Sequence, residues 1–378
     1  MTSPSFSSTW DEYIYLDNNA TTPLDPLAIE AMYAHHLLPA NPSSLHRFGQ
    51  RAGQILQSAR KKIGDILNLP PSSLTFTSGG TESLLSLLFG AARSSPQSTI
   101  LTSTIEHAAL YQGALQLKEE GYSVLMLSPK DGHMVSPEEV DALITKEVGS
   151  LFFSAVNGET GARLDLHGMA DLALDHQIPL YLDGVAALGK EHIPSHPGIA
   201  GIAYSGHKFH GPKGLGLTYI HPHYPLPPLI VGGPQERGQR AGTENVMGAV
   251  GMAAALSQLS PEHPSHMESL RLLFEDELLL HFPHALIHGG SNRTVNVTNV
   301  AFPQADGEAL LIALDIEGIA ASHGSACQAG AREPSRVLLN MGIPRDQVQA
   351  SIRFSLSRMN RRDEIYATIA TLKRLIPS

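Results

Sequence analysis

LTFTSGGTESLLSLLFGAA, residues 74–92, decides the fold. Leu74 to Thr77 reads as a strand, Ser78-Gly79-Gly80 as a turn, and the apolar stretch from Thr81 as a helix. Strand, glycine turn and helix start together form a cup for an anion, because unpaired N–H groups and the positive end of the helix dipole both face it. Gly80 and the Thr81 hydroxyl belong to that cup. Many such turns keep paired glycines for geometry alone, so both readings stay open at this point.

The alternation continues on either side. Downstream, STILTST (98–104) is a strand and IEHAALYQGALQLKEEG (105–121) a helix with His107 at its start. YSVLMLS (122–128) is a strand, and SPEEVDALITKE (136–147) is a helix opened by Ser136, Pro137 and Glu139 as cap, first turn and capping-box acid. LFFSAV (151–156), the NGETG loop, a helix over 166–176 and the strand IPLYLD (178–183) follow, then IAGIAYSG (199–206) and GLTYI (216–220). Upstream, Ala52, Ile55, Leu56, Ala59, Ile63, Ile66 and Leu67 recur at helical spacing. In YIYLDNNATTPLDP (13–26) a short strand runs into a polar loop, and Pro23 and Pro26 are expected to delay any helix. NPSSLHRFG (41–49) reads as a turn.

Strands alternating with helices imply an α/β fold with a mostly parallel sheet covered on both faces and ligands at the C-terminal strand ends. Asp183 stands at one such end, either as a helix cap or as the buried carboxylate that a pyridinium nitrogen needs. In SGHKFHGPKG (205–214), Lys208 lies between a histidine and an aromatic. A lysine forms a Schiff base when burial and nearby cations lower its pKa, and the aldehyde of pyridoxal phosphate is the obvious partner. A solvated lysine in a surface turn is the alternative. GGPQERGQRAGTEN (232–245) is a polar glycine-rich loop that either faces solvent or completes a phosphate site, across a subunit interface.

The chain has 378 residues, 42% of them hydrophobic, which suits two domains. A net charge of −10 without a basic tract argues against nucleic acid as a partner. The first residues lack a targeting pattern and no run reaches the roughly 18 apolar residues of a membrane span, so the expectation is a cytoplasmic protein without membrane contact. The 19 histidines form no metal-binding pattern. One cysteine, Cys327, excludes an internal disulfide. It lies in IAASHGSACQAG (319–330), where small neighbours leave the thiol accessible as a core cysteine would not be. SPEHPSH (260–266) marks a boundary. Beyond it come a helix (267–282), a strand (294–302), helices over 307–318 and 335–341, the strand ASIRFSLS (350–357) and a last helix. The expected division is an N-terminal arm (1–16) packing with the small domain, a large cofactor domain (17–256) and a small C-terminal α/β domain (257–378) carrying Cys327.

Ten segments in order resemble the cysteine desulfurases of the NifS/IscS type, group I, class-V aminotransferases among the fold-type-I pyridoxal phosphate enzymes. They are YLDNNATT (15–22), NPSSLH (41–46), TSGGTES (77–83), EH (106–107), ETG (159–161), LDGVAALGK (182–190), SGHKFHGPKG (205–214), RAGTEN (240–245), GSAC (324–327) and SIRFSLSR (351–358). The resemblance implies that Lys208 binds the cofactor aldehyde and moves the substrate Cα proton, Asp183 pairs with the pyridine nitrogen, and His107 stacks on the ring. It implies phosphate contacts from Gly80, Thr81, Ser205 and His207, joined by Thr243 of a second subunit, hence a homodimer. Asn157 adds a cofactor contact. Arg353, with Asn41, binds the carboxylate of L-cysteine. Cys327 takes the sulfur as a persulfide, releases alanine and passes the sulfur to an acceptor protein, for iron–sulfur clusters or tRNA thiolation. A thiol with an ordinary pKa near 8.5 needs activation for that step.

Two positions depart from the resemblance: Gly158 and Ala186 stand where the family carries Asn and Gln, whose amides hold the cofactor ring hydroxyl. The other readings are a selenocysteine or C–S lyase, against which Cys327 counts, and a catalytically weakened partner protein in sulfur traffic, against which the intact Lys208, Asp183, His107, Arg353 and Cys327 count.

Overall fold

The computed structural model describes residues 13–36, 39–129, 132–324 and 334–376. The chain enters through β1 (Ile14–Tyr15), α1 (Pro26–Tyr33) and α2 (Arg47–Leu67). Contrary to expectation, α1 begins on Pro26 itself. Asp25 caps it by accepting from Leu27 N at 2.8 Å, and a proline at the first helical position forfeits no hydrogen bond.

The central sheet is built from β2 (Leu74–Thr77), β3 (Thr99–Ser103), β4 (Val124–Leu127), β5 (Val148–Ser154), β6 (Leu180–Asp183), β7 (Ile199–Ser205) and β8 (Gly216–Ile220). Their order is β2-β8-β7-β6-β5-β3-β4, with β8 antiparallel to both its neighbours and every other pair parallel. The helices α3 (Gly80–Ser94), α4 (Ala108–Glu119), α5 (Pro137–Asp141) and α6 (Leu166–Asp175) connect these strands. Alternate strand residues feed opposite layers, as the pleat requires. Phe152 and Tyr181 stack at 4.7 Å in the core under α3 and α4, while Leu151, Phe153 and Leu182 join the core on the other face, which α2 and α6 cover. α5 has the predicted capping box but ends at Asp141, because the chain turns over 142–145 to enter β5.

α7 (Val246–Leu256) is made of small residues, so α1 and α2 approach it closely; a Cβ on Gly251 would meet Met32 Sδ at 2.6 Å. α8 (Glu262–His281) starts inside the stretch read as a boundary, since Pro264 falls in its first turn where no amide is needed. Next come β9 (Leu286–Ile287), β10 (Val297–Ala301), α9 (Gly307–Ile316), β11 (Ile319–Ala320), α10 (Arg336–Asn340), α11 (Arg345–Gln349), β12 (Ser351–Ser355) and α12 (Arg362–Leu375). The antiparallel sheet β12-β10-β9 rests on a second core that includes Phe274, Phe302, Phe354 and Ile365. β1 pairs parallel with β11, and Leu16 is buried in this second core. Among the described residues no helix is long and apolar enough to cross a membrane, and no cluster of three or more side chains is arranged to hold a metal.

Candidate active site

The C-terminal ends of β2, β3, β5, β6 and β7 lie on one edge of the sheet, and the chain leaving them carries Gly80, His107, Asn157, Asp183 and Lys208. Parallel strands bring these residues together although more than a hundred positions separate them.

At the end of β2, α3 starts at Gly80 without a side-chain cap. Its first turn lines a cavity of about 420 Å³ together with Ser78, Thr81, Ser205, His207 and Lys213. Gly80 lets the chain pass close to its neighbours: a Cβ would come within 3.0 Å of Val185 Cγ2 and 3.2 Å of Ser205 Cβ, so both side chains would have to give by a few tenths of an ångström. His207 Nδ1 lies 3.1 Å from Thr21 Oγ1, and burial, then Lys208, Lys213 and Lys190, press its pKa down to about 4. His207 is therefore a neutral hydrogen-bonding group at neutral pH, and the surrounding positive charge belongs to the lysines. An uncapped helix start, hydroxyls and Lys213 suit a phosphate, while the carboxylate of Glu82 in the same lining is taken up by Arg240 at 2.9 Å.

Asp183 ends β6, buried, with Oδ1 accepting from Val185 N at 2.9 Å. Burial raises its pKa, while the charges of His107 and Lys208 pull it back. Lys208 closes the short turn Gly206–Lys208 after β7. Its Nζ donates to the carbonyl oxygen of Asn19, and to that of Ala20 at 3.1 Å. His107 caps α4: Nδ1 accepts from Ala109 N at 3.1 Å, which puts the proton of the neutral ring on Nε2.

Arg353, on β12, is buried and bound to Asp17 Oδ1 at 2.7 Å and Gly158 O at 3.2 Å. Gly158 O also accepts from Asn19 Nδ2 at 3.0 Å, tying the loop after β5 to the N-terminal loop. Asn157 commits its amide to its own surroundings: Oδ1 accepts from Glu159 N and Thr160 N, each at 3.0 Å, and Nδ2 donates to Ile105 O at 3.2 Å. Asn41 lies in an exposed turn, its Oδ1 accepting from Ser43 N at 2.9 Å, and Thr243 is exposed in the loop 232–245. Cys327 lies outside the described residues. The backbone on its N-terminal side is pinned to the site, because Ser322 and Arg353 exchange backbone hydrogen bonds. On the other side Arg336 stacks over Tyr111 at 3.8 Å and donates to Glu106 O at 2.6 Å.

Several site residues escape sequence reasoning. Glu106 is fully buried, accepting from Ser103 Oγ at 2.5 Å and from Ser154 N at 2.9 Å, and burial raises its pKa to about 7. Glu159 is buried against Ser335, and Lys190 sits behind Lys208. The adjacent EH and ETG segments point to the two acids; nothing local marks Lys190 as buried.

The residues fit pyridoxal phosphate: a phosphate cup, a buried strand-end carboxylate and a half-buried lysine converge on one edge.

Comparison with known proteins agrees with this geometry. The class-V aminotransferase family matches residues 14–367. "Cysteine desulfurase 2" of Trichormus variabilis is 39% identical over 360 residues, 93% of this chain and 90% of that protein. "Cysteine desulfurase NifS" of Azotobacter vinelandii is 37% identical over 371 residues, 96% and 92% of the two chains. A solved structure described as a NifS-like protein superposes with a TM-score of 0.89 at 31% identity, covering 96% of this chain and 99% of the other.

Proposed function

Because the chain belongs to the class-V aminotransferase family and aligns over nearly its whole length with cysteine desulfurases, we propose that it converts L-cysteine to L-alanine with pyridoxal phosphate and takes the sulfur onto Cys327. The observation that carries this reading is the convergence of Lys208, Asp183 and the cup at Gly80 on one sheet edge, with Arg353 joined to it through Gly158 and Asn19. The cofactor supplies the electron sink for carbanion chemistry.

Thr81, Ser205, His207 and Lys213 hold its phosphate, Asp183 its ring nitrogen, and Lys208 its aldehyde. Arg353 binds the substrate carboxylate through a planar fork, which suits two oxygens better than an ammonium does. Lys208 then takes the Cα proton. The Cys327 thiolate attacks the substrate sulfur: an S–S bond forms, the C–S bond breaks, its electron pair remains on the carbon side, and protonation there yields alanine. His107, with its Nε2 proton, is the acid and base beside the ring.

Exposed apolar residues on α1 and α7, Leu27, Ile29, Tyr33 and Met247, support a homodimer. In it Thr243 completes the partner's phosphate cup. The two cores support division into a large domain over 17–256 and a small one over 257–378, with the N-terminal residues on the latter. An acceptor protein in the cytoplasm, feeding iron–sulfur clusters or tRNA thiolation, receives the persulfide.

The test is an absorption spectrum of the purified protein before and after L-cysteine, with alanine and sulfide assayed together. A visible band that shifts, with both products, is expected. Full cofactor loading without either product overturns the reading.

A further inference from the structure

The turn between β3 and α4 leads into His107, and each of the three carbonyls before that residue is held by a side chain. Ile105 O accepts from Asn157 Nδ2 at 3.2 Å. The other two belong to Arg336, 230 residues further along the chain from Glu106: one Nη donates to Thr104 O and the other to Glu106 O at 2.6 Å. The same guanidinium lies 3.8 Å from the ring centre of Tyr111, which stands one turn after His107 on α4. Asn340, one turn after Arg336 on α10, adds a bond to Thr104 O at 2.9 Å. Ser335 ties the start of α10 to Glu159 Oε2 at 2.5 Å, and Glu159 N is itself bound to Asn157. This circuit closes on the turn that bears His107. His107 is exposed, so the backbone beneath it, more than packing around its ring, sets where the ring stands.

We propose that Arg336 is a positioning residue for His107: its planar fork fixes two carbonyls of one turn, and through them the place and the tautomer of the imidazole beside the cofactor. A lysine there keeps the charge but has no fixed fork. The inference rests on His107 working at the cofactor ring, and it deepens that reading by naming the group that holds it there. If Arg336 only fastened α10 to the rest of the chain, His107 would keep its tautomer without it.

The first arm of the test needs neither cofactor nor turnover. Ring-nitrogen resonances of isotope-labelled histidine are recorded in the full-length, cofactor-free protein at alkaline pH, with His107 identified by the signals that His107→Gln lacks. In the parent the two nitrogens of His107 are expected far apart, one protonated and one accepting from Ala109 N. In Arg336→Met they are expected to converge as the ring averages between tautomers. Arg336→Lys is the milder change, informative even if the Met variant does not fold, and is expected to converge them in part. The second arm is steady-state alanine formation. Arg336→Met is expected to lower kcat about tenfold with KM within about twofold, and to change the residual kcat by less than about twofold when His107→Gln is already present, because residues acting through one group are not additive. His107 signals that match the parent's in both Arg336 variants, or an equal loss of kcat with and without His107, overturn the proposal. A protein without desulfurase activity would still show the convergence, so the two readings fail separately.

Discussion

Arg353 Nη2 donates to Asp17 Oδ1 at 2.7 Å while Arg353 Nε is buried with no hydrogen-bond partner among the described residues. Asp17 thereby fixes the plane of a guanidinium whose fork suits a carboxylate. Asp17→Ala removes the grip without touching the cofactor cup. The expected outcome is a KM for L-cysteine about tenfold higher with kcat within about twofold, in keeping with loss of one charged hydrogen bond. An unchanged KM in steady-state assays would remove Asp17 from the carboxylate site.

Glu106 sets a pH dependence on stability. Its folded pKa, about 7, is raised above the ordinary 4.5 by burial, and Asp183 adds to the rise. A carboxyl raised on folding stabilises the fold fully below its unfolded pKa and loses that contribution as pH climbs through the folded value. The window therefore runs from about pH 4.5 to about pH 7, and the loss across it is on the order of 3 kcal/mol. Glu106→Gln can still bond Ser103 and Ser154 but does not titrate. Relative to the parent it is expected to gain stability by that order between pH 4.5 and pH 8, read from urea midpoints at the two pH values. Parallel midpoints for both proteins would refute the assignment.

These examples show why some of the site is legible and some is not. Asp183 ends a strand, His107 opens a helix and Lys208 closes the short turn after a strand, and local patterns mark those places. Lys190 is buried by elements distant in sequence, so nothing beside it signals the burial, whereas the EH segment points to Glu106 and only its partner Ser154 on β5 lies far along the chain. The sequence marks Asn157 as a candidate cofactor contact, and the structure adds that its amide closes the loop that presents Gly158. Pro26 and Pro264 show the limit of treating proline as a stop, because both lie in first turns.

Arg60 grips Glu236 with two bonds of 2.7 and 2.6 Å, with each side chain 2% exposed. Glu236 also accepts from Phe76 N at 2.8 Å, and Glu236 and Arg237 hold left-handed backbone with φ of 47° and 58°. This pair anchors the loop that bears Thr243 to β2. Arg60→Met strips the buried carboxylate of its two-point ion pair and is expected to cost about 3–5 kcal/mol. Arg60→Lys, with a single point of contact, is expected to cost less. Urea denaturation of the loaded protein checks both, and a Met variant as stable as the parent would show that the loop is held by other contacts.

Gly158 stands where the family resemblance leads one to expect Asn, and a Cβ built there meets nothing within 4 Å. Its φ is not among the positive values, so the backbone does not demand glycine either. Its carbonyl, which accepts from Arg353 and Asn19, would be unaffected by a side chain. Gly158→Asn is therefore expected to fold with an unchanged thermal midpoint. If the amide reaches the ring hydroxyl of the cofactor, one neutral hydrogen bond, about 0.5–1.5 kcal/mol, tightens pyridoxal phosphate binding by about two- to tenfold. Fluorescence titration of the cofactor-free protein measures that ratio. A variant that folds normally and binds no more tightly would mean that the open space beside Gly158 does not face the ring, and that glycine in place of the expected Asn leaves cofactor affinity alone.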